Sequence, residues 1–221
     1  MHDFPQLRFD DRIFKGADPG SAFAQFVDEF LKLQNHNETF VRGLAKGRDG
    51  AIDLIDTGQI VTHIVECKFI GATAKDSALK RWQEVAGHLE KNLPKAALSQ
   101  GAAKYRPWLK SQSNIQTYSF VTSAICADAN ERNQLRQSIK AFFDHISNQH
   151  DELSHLRDLK IDLRYWDDLV GHHANYAPLF YRWFGGFPTG YGDISLSFGT
   201  SETSFKRFLE DMQLPTCGKG A

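Results

Sequence analysis

The sequence predicts an α/β fold with a mixed central β-sheet flanked by helices. Three observations lead there. Two apolar, β-branched runs, AIDLI (51–55) and IVTHIVECKF (60–69), flank the turn cluster Asp56-Thr57-Gly58-Gln59 and read as a β-hairpin. Segments with apolar residues three and four apart lie on both sides of that hairpin. The second half of the chain then alternates strand, helix, strand and helix, the order of a layered α/β domain.

The elements follow in order. Asp18-Pro19-Gly20 is a helix start, with Asp18 as N-cap and Pro19 at the first position. Phe23, Phe26, Val27, Phe30 and Leu31 form the apolar stripe of that helix. Residues 38–44 are a first strand, leading into a glycine-flanked loop that carries Lys46, Arg48 and Asp49. The hairpin comes next. After Phe69, Thr73 and Asp76 form a capping box. Leu79, Trp82, Ala86, Leu89 and Leu93 then repeat at helical spacing. Residues 94–113 are a polar, basic connection with a short helix near 102–109. There Tyr105 and Trp108 lie among bases and either touch nucleic acid or anchor the loop to the core. Residues 115–125 are a strand. Residues 128–146 are a helix with Leu135, Ile139, Phe142, Phe143 and Ile146 inward. Residues 159–166 are a strand with Ile161, Leu163 and Tyr165 alternating. Asp167-Asp168-Leu169 turns into a last helical stretch reaching Phe184.

A chain of 221 residues, 41% hydrophobic, suits one domain with a small appendage. We place that domain at 1–184. Residues 185–221, opening on GGFPTGYG, read as a linker or C-terminal extension, with a short strand near 193–198 and a helix near 205–212. No run of 18 apolar residues occurs, so no membrane span is expected. The start, MHDFPQLRFDDR, lacks the apolar stretch of a secretory signal. Cys67, Cys126 and Cys217 are far apart without a CxxC pair, which favours reduced thiols in a cytoplasm over disulfides or zinc. The nine histidines show no metal-ligand spacing and read as surface or helix-end residues. The net charge is only −1, but it is uneven. Residues 75–110 hold eight Lys or Arg against three acids, and residues 144–168 hold seven acids against three bases. A basic flank beside a site attracts a phosphate backbone.

The hairpin concentrates the chemistry. Side chains on a strand alternate faces, so Glu66 and Lys68 share one face with Thr62 and Ile64. Pairing about the turn lets Asp53 face Glu66. Two carboxylates and an ammonium at a strand end suit a hard divalent cation, which binds through one or two carboxylates, water and phosphate. Such an ion polarises a phosphodiester and activates water. Lys68 is then placed to hold that water, to stabilise charge on phosphorus, or to act as base.

The run Gly-Arg-Asp-Gly-Ala-Ile-Asp (47–53), followed by a strand carrying Glu66-Cys67-Lys68, resembles the PD-(D/E)XK nuclease superfamily. The likeness is to Mrr-type restriction endonucleases and to the N-terminal nuclease domains of bacterial antiviral STAND NTPases. It spans about residues 22–184. It implies a restriction-endonuclease-like core and a Mg2+-dependent endonuclease acting on double-stranded DNA, with Mn2+ able to substitute. Asp53 and Glu66 become the metal-binding carboxylates, the Cys67 carbonyl a further ligand, Lys68 the catalytic lysine and Asp49 a supporting acid. A second metal ion is compatible with this pattern. A first-helix residue that helps position the metal would be Gln25 or Glu29. Gln83 on the following helix is a candidate near the scissile phosphate. Arg42, Lys46, Arg48, Lys75, Lys80 and Arg81 become candidate nucleic-acid contacts, although those near the loop could instead balance Asp49 and Asp53. The resemblance further implies a homo-oligomer, a role in restriction or antiphage defence, and a C-terminal NTPase or sensor module beyond a linker. Two other readings remain: a repair or junction-resolving nuclease on the same core, and a catalytically silent nucleic-acid-binding or assembly module.

Overall fold

The computed structural model describes residues 9, 18–35, 40–42, 51–58, 60–71, 76–99, 103–110, 113–173 and 175–184. By internal contacts the chain divides into two units, Arg8–Tyr176 and a second made of Met1–Leu7 with Ala177–Ala221. The larger unit is an α/β domain built on an open, mixed sheet of five strands in sequential order. These are β1 (Phe40–Arg42), β2 (Leu54–Asp56), β3 (Val61–Lys68), β4 (Ser113–Thr122) and β5 (Lys160–Arg164). Strand β2 runs antiparallel to β1 and to β3, whereas β4 lies parallel to β3 and β5 parallel to β4. The parallel crossovers run through α2 (Ala78–Ser99) and α3 (Ala129–Gln149). No helix among the described residues is long and apolar enough to cross a membrane.

Strand alternation distributes the core over two faces. Ile64, Tyr118, Phe120 and Leu163 point to the face covered by α2 and α3. There Trp82 meets Phe120 at 5.8 Å and Tyr118 meets Phe143 at 5.1 Å between ring centroids. The other face is covered by α1 (Pro19–Gln34) and α4 (Trp166–Gly171), where Trp166 packs on Phe9, Phe23 and Phe26. The sequence stripe on α1 is buried as its spacing predicts, and the Asp18 carboxylate accepts from the Ser21 N–H at 2.9 Å. At the start of α3, Asp128 caps in the same way through the Glu131 N–H.

The structure departs from the sequence expectation at several elements. Helix α2 begins at Ala78, and its cap is the Ser77 hydroxyl, which accepts from the Lys80 N–H at 3.1 Å. Asp76 pairs with Lys80 and Arg81 instead of closing a capping box, and Thr73 lies outside the described residues. The same helix passes through Pro94 to Ser99. Leu93 and Ala96, both buried, hold it to the core across the hydrogen bond that proline cannot donate. Tyr105 and Trp108 belong to a 3-10 helix, Ala103–Trp108, and both are buried, so they anchor the loop and offer no ring face to nucleic acid. The last helical stretch is divided into α4, which ends at Gly171, and α5 (Ala177–Phe184). In the smaller unit only α5 is described, with Phe180 stacked on Phe184. The expected extension at 185–221 lies outside the described residues.

Candidate functional site

The hairpin turn is fixed by Asp56. Its carboxylate accepts from the Thr62 N–H at 2.9 Å, the Thr62 hydroxyl at 2.8 Å and the His63 N–H at 3.0 Å. These bonds lock the register, which pairs Ile55 with Ile64 and Leu54 with Val65. The expected strand 51–55 does not extend back from there. Ala51 has φ +60°, in the left-handed region that interrupts an extended run of L-residues, and β2 begins only at Leu54.

Asp53 is therefore not a simple cross-strand partner of Glu66. Its N–H donates to the Val65 carbonyl at 2.9 Å, so Asp53 and Leu54 both address Val65. Two residues against one is the arrangement of a β-bulge, which re-aims side chains and reverses the alternation beyond it. Ile52 accordingly joins the core on the α2 and α3 face, together with Ile55 and Ile64. The Asp53 carboxylate turns along β3, where its Oδ2 accepts from the Cys67 N–H at 2.7 Å. The first acid thus sits on the peptide group that joins Glu66 to Cys67.

Glu66 is 2% exposed, and its Oε1 is ion-paired with the Lys68 ammonium, itself 30% exposed. Glu66 and Lys68 share a face, as the period of two requires. The Lys68 carbonyl accepts from the Ser123 N–H at 3.1 Å, tying this end of β3 to the end of β4. The Cys67 side chain is buried on the face of β3 opposite Glu66. Burial pushes its thiol well above the ordinary range, and the Asp53 and Glu66 carboxylates push it further. For a hard cation the Cys67 backbone oxygen is the better suited donor.

Asp28 is an acid that the sequence pattern did not single out. It lies on α1, is buried, pairs with Lys32 at 2.9 Å and adds to the rise in the Cys67 thiol. Its Oδ1 is buried and makes no hydrogen bond among the described residues. The usable signal was its place between Val27 and Leu31, at the border of the apolar stripe. Gln25 is exposed, and its amide lies 3.4 Å from Glu29 Oε1, so these two first-helix candidates contact each other.

The remaining candidates are spread out. Lys80 and Arg81 are ion-paired with Asp76, and Arg81 also with Glu84 at 2.9 Å. Gln83 is exposed on α2. Arg42 is opposite Leu54 through its backbone, the only part of it described. Lys46, Arg48, Asp49 and Lys75 lie outside the described residues. One histidine departs from the surface expectation: His63 is 7% exposed, and its Nε2 lies 2.8 Å from the Ser119 hydroxyl. Ser119 in turn donates to Asp162 at 3.1 Å. Near that polar chain, a cleft of about 250 Å3 is lined by Gln34, Arg132, Asp162, Arg164, Asp168 and His172 among others. Both of its arginines are paired with aspartates, Arg132 with Asp168 at 2.7 Å and Arg164 with Asp162 at 2.8 Å.

Among the described residues no group of three or more His, Cys, Asp or Glu side chains is arranged to hold a metal ion. The oxygens at the hairpin are two carboxylates and a backbone carbonyl. These are hard donors of the kind Mg2+ takes while keeping several waters, so the residues fit that ion by chemistry. The chain matched no family model, no curated protein and no solved structure.

Proposed function

We propose that this chain is a Mg2+-dependent endonuclease that hydrolyses phosphodiester bonds of DNA, with duplex DNA as its first substrate and restriction or antiphage defence as its setting. The observation that supports this best is the Asp53 carboxylate seated on the Glu66–Cys67 peptide, with Lys68 bonded to Glu66 beside it. This constellation brings two acids and an ammonium to one strand end without a catalytic histidine or an activated thiol. Hydrolysis of a phosphodiester is the reaction such a set serves.

Asp53, Glu66 and the Cys67 carbonyl would hold the ion, which when bound supplies charge to the scissile phosphate and lowers the pKa of a water. The chain's own contributions are distinct. The Cys67 N–H orients Asp53. Glu66 holds the Lys68 ammonium at the strand end, partly open to solvent, where it can donate to a phosphate oxygen or to the attacking water. Ile64, buried two residues before Glu66 on the same face of β3, gives the site an apolar floor. Self-association would supply the second cut of a duplex, and an attached sensor module would supply control.

The test is cleavage of supercoiled plasmid with Mg2+ by the wild-type chain, Asp53→Ala and Lys68→Ala, at low and high protein concentration. Linear or nicked product from the wild type, and at least about 100-fold less from either variant, is expected. Equal cleavage by all three, or none at any concentration, would remove the proposal. Branched DNA cut in preference to linear duplex would move it to a junction-resolving nuclease.

A further inference from the structure

Tyr118 sits in the middle of β4 and is fully buried, its ring among Trp82, Trp108 and Phe143. Its hydroxyl is buried and has no hydrogen-bond partner among the described residues. A phenylalanine would present the same ring to the same neighbours without burying an unmet donor, so packing does not account for the oxygen. What lies near it on the sheet does. Ile64 is opposite Tyr118 and Glu66 is opposite Phe120 in the parallel β3–β4 ladder. Tyr118 and Glu66 are thus diagonal neighbours on one face, with Cα atoms about 8 Å apart by the strand spacing and rise. A tyrosine and a glutamate side chain together span that gap, directly or through one bridging water.

We infer that Tyr118 is a positioning residue for the proposed site: its hydroxyl, unbonded while Glu66 is paired with Lys68, donates to the Glu66 carboxylate when that acid turns to a divalent cation, and so fixes the direction in which it presents its oxygens. The inference rests on the nuclease reading, since it assigns a role through Glu66. Charge supports the placement: after burial, Glu66 and then Asp53 do most to push the Tyr118 phenol well above its ordinary range. The inference also gives the ion pair with Lys68 a second donor to exchange with. When Lys68 turns to a phosphate, a hydroxyl on the same face remains to hold Glu66.

The experiment is Tyr118→Phe in the full chain, read in two ways. In chelator, its melting temperature should equal or exceed that of the wild type, because the ring stays and the buried oxygen goes. In a Mn2+ titration followed by electron paramagnetic resonance, its dissociation constant should be weaker by about 10-fold, the effect of losing a group that orients a metal ligand. A Mn2+ affinity within twofold of wild type would overturn the inference. So would a lower melting temperature in chelator, which would make the hydroxyl a part of the fold. Asp53→Asn separates the two levels. If it binds Mn2+ as the wild type does, the metal reading itself fails, and the role of Tyr118 fails with it.

Discussion

The Asp53 carboxylate accepts a 2.7 Å hydrogen bond from the Cys67 backbone N–H, and so one side chain both completes the hairpin and offers an oxygen at its end. Asparagine keeps an oxygen for that bond and loses the charge, whereas alanine loses both. Asp53→Asn should therefore unfold within about 1 kcal/mol of wild type in urea. Asp53→Ala should lose roughly 1–3 kcal/mol. Both should lose Mg2+-dependent cleavage. An active Asp53→Asn would show that the aspartate is a structural cap only.

The Glu66–Lys68 pair makes a second, asymmetric prediction. Glu66 is the buried partner and Lys68 the accessible one. Removing the accessible cation takes away a neutralising partner from a buried carboxylate, which costs about 3–5 kcal/mol in comparable pairs. Lys68→Met should fall in that range in chelator, while Lys68→Met with Glu66→Gln should recover most of it. Mg2+ should also restore stability to Lys68→Met, because a ligand of the native state alone raises its stability. Urea melts with and without Mg2+ read all three effects.

How much of this was legible in the sequence follows from what each signal encodes. The β-branched runs and the acid in the turn located the hairpin, since Asp56 does cap it. The common face of Glu66 and Lys68 followed from the period of two alone. The approach of Asp53 was not readable, because counting back from the turn assumes no extra residue. The positive φ at Ala51 and the bulge at Asp53 insert one, and they carry the carboxylate to Cys67 instead of straight across to Glu66. Helix α2 crosses Pro94 because buried residues on both sides outweigh a local break, which is tertiary information. Burial of His63 was equally out of reach, since a polar residue in a strand with apolar neighbours on both faces carries no mark of which side is covered, whereas Asp28 was signalled only by its place between Val27 and Leu31 at the border of the stripe.

The polar chain across the sheet yields a third prediction. The Ser119 hydroxyl has one hydrogen and gives it to Asp162, so its oxygen accepts from His63 Nε2–H. Ser119 is completely buried. Ser119→Ala removes both bonds at once and should destabilise by about 1–3 kcal/mol. Asp162→Asn still offers Ser119 an acceptor and should cost less. Nitrogen-15 shifts of His63 should report the Nε2–H tautomer in wild type, and a bare Nε2 would reverse the assignment of donor and acceptor.

His155 supplies the pH dependence. Its Nε2 lies 3.0 Å from the Trp108 carbonyl, so Nε2 carries the proton and donates. Its Nδ1 is buried and makes no well-formed hydrogen bond, so a second proton there would be poorly met, with only a weak pull from the Glu152 backbone. Burial accordingly lowers its pKa from the ordinary 6.5, and nearby Lys110 acts in the same direction, against the pull of the Trp108 carbonyl and, more weakly, of the Glu152 backbone. The unfolded chain then takes up this proton at a higher pH than the folded one. The contribution to stability is whole above about pH 6.5 and is lost as pH falls from there through the lower, folded value. His155→Gln keeps a donor for the Trp108 carbonyl and takes no proton. Its urea midpoint should therefore decline less than that of the wild type on acidification through that window. Identical profiles would mean that His155 is protonated as readily in the folded chain as in the unfolded one.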